Sequence, residues 1–235
     1  MSLILAGDTT TTVNTVALCA EDAILAETVV DCNRLHSERL IATVDWVLKE
    51  AGKGLGDVTA LAMSTGPGSF TGLRIGAATW KGFALTHGLP LVAVPTLDAM
   101  TRLGVYHRGC VCPMLDARMK EVFGAWYRFE DGTRTKLTED RVCAVEALLD
   151  ECPVGATEPC FLLGDGTVVY RERIEARAPK AVFAPPLCNV PRASAVAAEA
   201  FALLAQDAPT DANLVSPVYL RKSQAEINRE RKTGS

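Results

Sequence analysis

Residues 3–30, LILAGDTTTTVNTVALCAEDAILAETVV, hold three apolar runs, Leu3–Gly7, Val13–Ala20 and Ala23–Val30, parted by Asp8-Thr-Thr-Thr-Thr12 and by Glu21-Asp22. Connections this short join antiparallel strands, because a parallel pair needs a crossover of about a dozen residues or more. After Asn33 the apolar period lengthens: Leu40, Ile41, Val44, Val47, Leu48 and Ala51 share a helical face, and Gly52 and Gly54 end the helix. Val58–Ser64 then predicts a buried strand, Phe70–His87 a second helix, and Leu91–Val94 a strand closed by Pro95. A short helix near Asp98–Leu103 ends this half.

The order then returns. Cys110–Leu115, Val122–Phe129 and Arg134–Val142 read as strands, the last two turned by Glu130-Asp-Gly-Thr133. A helix at Val145–Glu151, a strand at Phe161–Leu163, a helix near Val168–Arg177 and a strand at Ala181–Phe183 follow. The chain therefore reads as βββαβαβ twice, an α/β protein in two lobes, 1–103 and 104–220, alike in element order but not in residue identity. The Ala-rich helix Ala193–Leu204, which has the option of packing back on the first lobe, precedes a loop at Pro209–Asn213. The end, 221–235, has five basic and two acidic residues and no apolar period, which favours a flexible basic tail over an RNA-contacting arm.

Composition narrows the function classes. With 235 residues, 49% hydrophobic and 22% charged, the chain is a folding one, and its net charge of −4 argues against broad affinity for nucleic acid. Eight cysteines are too sparse for a disulfide scaffold, and Met1-Ser-Leu-Ile-Leu5 lacks the basic start of a secretory signal, so a cytoplasmic protein is expected. The nearest approach to a membrane span, Ala193–Ala205, is short and carries Glu199, so no membrane contact is expected. Cys110 and Cys112 share one face of a strand and read as buried thiols rather than metal ligands.

Chemistry concentrates in Ser64-Thr-Gly-Pro-Gly-Ser-Phe-Thr-Gly-Leu-Arg-Ile-Gly76, where a strand enters a glycine- and hydroxyl-rich loop and then a helix. The free N–H groups there could hold an anion, or Gly66 and Gly68 could serve a turn capped by Ser69 or Thr71. Gly68, Gly72 and Gly76 leave a strip without side chains. Each internal glycine costs up to ~1 kcal/mol against alanine, so a close contact must offset it. The helix is apolar nearly all round, with Phe70, Leu73, Ala77, Trp80 and Ala84 in one stripe and Ile75 and Phe83 elsewhere; Trp46 lies opposite the stripe of the preceding helix. A partner surface is the expectation for both helices.

Asp8, Thr9 and Thr10, with Thr11 and Thr12, offer hydroxyls and N–H groups to a phosphate or a hydrated metal, or else make an ordinary hairpin turn. Gly164-Asp165-Gly166 could admit a nucleotide or serve only as a connection. Asp116, Arg118, Lys120 and Glu121 form either a site rim or a salt-linked turn. His36, His87 and His107 give no i, i+4 pair, and no Gly-x-Ser-x-Gly elbow occurs.

Asp8-Thr-Thr, His36-Ser-Glu-Arg-Leu40, the Ser64–Gly76 segment, Leu115-Asp-Ala-Arg118 with Glu121-Val-Phe123, and Pro217-Val-Tyr-Leu-Arg221 together resemble the TsaB (YeaZ) family over nearly the whole chain. The resemblance implies two actin-like (ribonuclease H-like) subdomains with mixed sheets. It implies work with TsaD and the ATPase TsaE in placing a threonylcarbamoyl group on N6 of a tRNA adenosine (t6A), with tRNA met only through the complex. TsaD carries a metal through a His-x-x-x-His pair; here His36 is followed at that spacing by Leu40, which points to a noncatalytic scaffold subunit with no cofactor of its own and ATP or ADP at most at the complex interface. In the family the two N-terminal helices dock on TsaD, or on a second copy when TsaD is absent. That places Leu35, Arg39, Trp46, Gly72, Leu73, Gly76, Trp80 and Phe83 at the interface, and leaves Asp8, Thr9, Thr10, Gly164 and Gly166 as nucleotide-site candidates. The competing expectation is an actin-like ATPase or kinase acting by itself, and a peptidase ranks last for want of a nucleophile.

Overall fold

β1 (Leu3–Asp8) and β2 (Val13–Ala20) are buried along their whole length. Strands covered on both faces read as continuous apolar runs, and both faces are covered here. In the computed structural model, which describes residues 2–31, 36–105, 107–155 and 158–221, the first sheet runs β3-β2-β1-β4-β5. Its β3 (Ile24–Asp31) is a half-exposed edge, and β4 (Ala60–Ser64) and β5 (Leu91–Val94) run parallel to β1. On one face α1 (His36–Glu50) and α2 (Phe70–His87) bury Leu40, Val44, Val47, Leu48, Ala77, Trp80 and Ala84 against Leu5, Leu18, Leu61 and Met63. On the other, α7 (Ala193–Leu204) lays Ala193, Val196, Ala197 and Ala200 on Ile4, Ala6, Ala17 and Val92. Helix α7 follows the second lobe in sequence and lies on the first sheet in space. The short α3 (Thr96–Thr101) closes this half.

The second sheet repeats the plan. β6 (Gly109–Arg118) sits where β1 does, followed by β7 (Glu121–Gly124), β10 (Arg141–Ala144), β11 (Phe161–Leu163) and β12 (Val182–Phe183) in the order β10-β7-β6-β11-β12. With β10 as third strand, the order matches that of the first sheet. The extra pair, β8 (Tyr127–Glu130) and β9 (Thr133–Lys136), turns through Asp131 and Gly132 at φ 48° and 78°. The mixed, twice-repeated sheets are the actin-like architecture.

Three expectations change here. Val122–Phe129 is not one strand: β7 and β8 hold a common register on β6, Met114 opposite Gly124 and Val111 opposite Tyr127, but part at Ala125-Trp126. That gap faces Pro113, which has no N–H to give, and the Trp126 carbonyl accepts instead from the Leu137 and Thr138 amides. Those same bonds break the expected strand Arg134–Val142 into β9 and β10. The helix expected near Val168–Arg177 is two, α5 (Asp165–Val169) and α6 (Arg171–Arg177), parted at Tyr170, whose hydroxyl donates to Asp116 Oδ1 at 2.9 Å. α4 (Val145–Asp150) takes the place α1 has in the first lobe.

A buried ionic seam joins the lobes. Glu199 on α7, 2% exposed, accepts from Arg102 at 2.7 Å and from both terminal nitrogens of Arg134 on β9 at 2.9 and 2.6 Å. Beside it Asp98 of α3 accepts from the Tyr127 hydroxyl and from Lys136.

Candidate functional site

A cleft of about 540 Å³ opens between the lobes. Thr10–Thr12 and Ser69–Thr71 form its first wall, Asp116–Met119 with Asp165 its second, and Val218–Arg221 a rim across it. The rim is anchored on both sides. The Val218 amide donates to Thr65 O at 2.7 Å, Tyr219 packs on Phe70 with ring centres 4.7 Å apart, and Arg221 reaches Glu121 at 2.8 Å and Ala117 O at 2.5 Å.

The glycine strip of α2 meets its own chain. A Cβ on Gly72 would lie 1.8 Å from the Thr9 carbonyl oxygen, one on Gly76 2.6 Å from Thr9 Oγ1, and one on Gly68 2.5 Å from Thr10 Cβ. The β1–β2 turn therefore lies directly on the helix, fastened by Thr9 Oγ1 donating to Gly72 O at 2.8 Å and the Ser69 amide donating to Thr10 O at 2.6 Å. This corrects the expectation that Gly72 and Gly76 receive a partner: both are buried inside the subunit. Leu73, 0% exposed, and Trp80, 1% exposed, are corrected with them. Gly7 leaves the space that the Trp80 ring fills, since a Cβ there would come within 2.3 Å of it. The apolar all-round character of α2 is met by α1 and by Ala212 and Val215 of the C-terminal segment.

On α1, Trp46 is 49% exposed and Arg39 is exposed, and Ile41, expected on the apolar face, is 62% exposed at its flank instead; on α2, Phe83 is half-buried and Leu85 is 60% exposed. Leu35 lies outside the described residues.

Of the five nucleotide-site candidates, Thr10 lines the cleft, whereas Asp8, Thr9, Gly164 and Gly166 are absent from its lining. Asp8 Oδ1 accepts the Thr10 amide and hydroxyl, both at 2.8 Å, and Thr11 Oγ1 accepts the Val13 amide, so the turn spends these donors on itself. The N-terminus of α2 does likewise: Ser69 Oγ caps the Gly72 amide at 3.2 Å. Gly164, at φ 100°, and Gly166 give close passage to the Met114 carbonyl. At the cleft, the Thr10, Val13, Ser69 and Gly72 amides are thus engaged within the chain.

The acids of the second wall were legible only in part. Asp116 stood in the charged run, and Asp165 stood between its glycines without being singled out. The Asp116 amide donates to Asp165 Oδ1 at 2.9 Å, while Asp116 accepts from Tyr170, from the Arg118 amide at 2.9 Å and from Arg118 Nη1 at 3.0 Å. Arg118, Met119 and Lys120 all take positive φ, 63°, 56° and 67°, so the hairpin wraps Asp116 with its own backbone. Burial first, and then the charge of Asp116, raise the Asp165 carboxyl to about 6. Among the described residues no three His, Cys, Asp or Glu side chains are grouped to hold a metal ion, and no helix is long and apolar enough to cross a membrane.

The family model of TsaD, tRNA N6-adenosine threonylcarbamoyltransferase, matches residues 29–229. The tRNA threonylcarbamoyladenosine biosynthesis protein TsaB of Bacillus subtilis is 28% identical over 224 residues, 95% of this chain and 96% of the relative. The TsaB of Escherichia coli is 39% identical over 130 residues, 54% of this chain and 56% of its own. Among solved structures, YeaZ from Pseudomonas aeruginosa superposes with a TM-score of 0.80 at 30% identity, over 94% of this chain and 100% of that one.

Proposed function

The chain belongs to the threonylcarbamoyltransferase family of TsaD, in its TsaB (YeaZ) group, and from that premise we propose that it serves t6A biosynthesis as a noncatalytic scaffold subunit docking on TsaD. The observation that carries this reading is the outer face of α1. Trp46 stands 49% exposed opposite the stripe of Leu40, Val44, Val47 and Leu48 that engages the sheet, while Ile41 stands 62% exposed at the flank of that stripe. An aromatic and a β-branched side chain left out of a completed core are what a helix-face interface uses as anchors. The helix is held in place by the first lobe, and the ionic seam at Glu199 ties that lobe to the second, so a partner seated on α1 meets a preorganised body.

In this reading the same face pairs with a second copy when TsaD is absent, TsaE joins through the complex, and tRNA is reached through TsaD. The engagement of the Thr9 and Thr10 hydroxyls and the Thr10 amide within the chain favours this reading over an ATPase acting alone, and any ATP or ADP is then met at the complex interface. The test is reconstitution: the chain is co-purified with TsaD and TsaE, and threonylcarbamoyl transfer to tRNA is measured with and without it. Loss of transfer on omission, and loss of co-purification for Trp46→Ala, are the expected results. ATP hydrolysis by the chain alone, abolished in Asp8→Ala, would overturn the reading.

A further inference from the structure

Beyond α7 the chain runs back along the first lobe and then leaves it. Ala212 and Val215 are buried in that lobe's core, and Lys81 of α2 donates to Val215 O at 3.0 Å. The Val218 amide donates to Thr65 O at 2.7 Å, and Gly66, at φ 119°, makes room for the Val218 carbonyl, which a Cβ there would strike. Tyr219 packs on Phe70, and its hydroxyl accepts from Nε of Arg74, whose guanidinium lies 4.0 Å from the Phe70 ring centre. The next two residues belong to the other lobe. Leu220 packs on the cluster that holds Leu115, Ala117 and Phe123, and Arg221 donates through Nη1 to Glu121 at 2.8 Å and through Nη2 to Ala117 O at 2.5 Å.

Ala117 lies on β6 and Glu121 on β7, so one guanidinium fork grips both strands of the hairpin that carries the second wall. That hairpin has a turn to be held: Arg118, Met119 and Lys120, three consecutive residues with side chains, take positive φ.

We propose that residues 218–221 are a latch across the cleft mouth, seated by Tyr219 on the first lobe and by Arg221 on the second, and that its release lets the lobes part about the seam at Glu199. Seam and latch act at opposite ends of β6. Arg134 of the seam lies on β9, which is joined through β8 to Gly109–Val111 at the start of β6, whereas the cleft is walled by Leu115–Arg118 at its end. With a pivot at one end and a tie at the other, the separation of the walls depends on the tie. The tie is also the weaker of the two. The Glu199 side chain is 3% exposed, but those of Arg221 and Glu121 are 27% and 37% exposed, so water and salt compete for the latch and hardly for the seam. Closed, the latch leaves a cleft of about 540 Å³, within the range of a small-molecule site, and opening it gives an occupant its way in. The latch is made within one chain and needs no partner on α1.

The test is the distance between the walls in the full chain, read by double electron–electron resonance. Nitroxides are coupled to keto amino acids introduced at Thr12 and Met119, exposed residues on opposite walls, which spares the native cysteines. Arg221→Ala and Tyr219→Ala should each lengthen the distance by several ångströms and broaden its distribution. Glu121→Gln should match Arg221→Ala, with no further gain when the two are combined. Raising sodium chloride from about 0.05 M to about 1 M should lengthen the distance in the parent and leave Arg221→Ala unmoved. A distance unchanged in Arg221→Ala or in Tyr219→Ala, or a salt response of equal size with and without Arg221, would refute the latch.

Discussion

Trp46 on α1 and Trp80 on α2 lie on adjacent helices over one face of the first sheet, 49% and 1% exposed respectively. The same comparison holds for the two helices as wholes. α1 turns Ile41 and Trp46 outward, while the glycine edge of α2 is filled by Thr9 and Thr10 of its own chain. Glycines four residues apart state that a backbone approaches closely, but not from which molecule. An exposed tryptophan opposite a completed core stripe states the opposite: among the described residues none has buried it. Substitutions on the two helices therefore separate folding from docking.

The largest effect is expected at Gly72. A Cβ there would sit 1.8 Å from the Thr9 carbonyl oxygen, backbone against backbone, with no flexible end to yield. Gly72→Ala should cost more than about 4 kcal/mol or prevent folding, as read by urea denaturation. A stable variant that has lost only its partner would reinstate the glycine strip as a docking surface. Trp80→Ala comes next: its ring fills the space left by Gly7 and is buried in the main core of the lobe. About 3–5 kcal/mol should be lost from the isolated chain.

These two residues mark where the sequence was readable. Element types came from periodicity, and β2, α2, β5, β11 and α7 have the expected limits because each is bounded by a turn or by glycine and proline. The second lobe was less legible at β7–β10, because the break depends on Pro113 lying opposite Ala125, a pairing known only once the register is fixed. In the same way the Thr9 hydroxyl donates to Gly72 O and the Thr10 carbonyl accepts from the Ser69 amide, some sixty residues away along the chain. Contacts of that range carry no local signal. Asp165 could have been noticed as the one acid between two glycines, but its meeting with Asp116 required the sheet.

Between the two helices in magnitude stands the cleft. The unfolded carboxyl of Asp165 titrates near 3.8 and the folded one near 6, so between these values the native state holds a proton the unfolded chain has released. Stability from this residue is thus present at low pH and is lost as pH rises through about 6. The loss should be about 1–2 kcal/mol, less than the full shift implies because the residue keeps some exposure. Asp165→Asn retains an acceptor for the Asp116 amide and should flatten the stability profile between pH 4 and neutrality, measured by denaturant midpoints. An unchanged slope would place the titration elsewhere.

Trp46→Ala should disturb the fold least and the complex most. A side chain 49% exposed returns little on burial within the subunit, so the isolated variant should stay within about 0.5 kcal/mol of the parent. If α1 is the docking face, the same change should weaken binding to TsaD by about 2–4 kcal/mol, the loss typical of an interfacial tryptophan. Self-association of the isolated chain should fall with it, since one surface cannot serve TsaD and a second copy at once. Retained affinity for TsaD would move the interface off α1, and with α2 closed by its own turn, another part of the molecule would have to carry the partner. Setting this variant beside Gly72→Ala in one titration distinguishes a helix that the chain uses up from a helix that it offers.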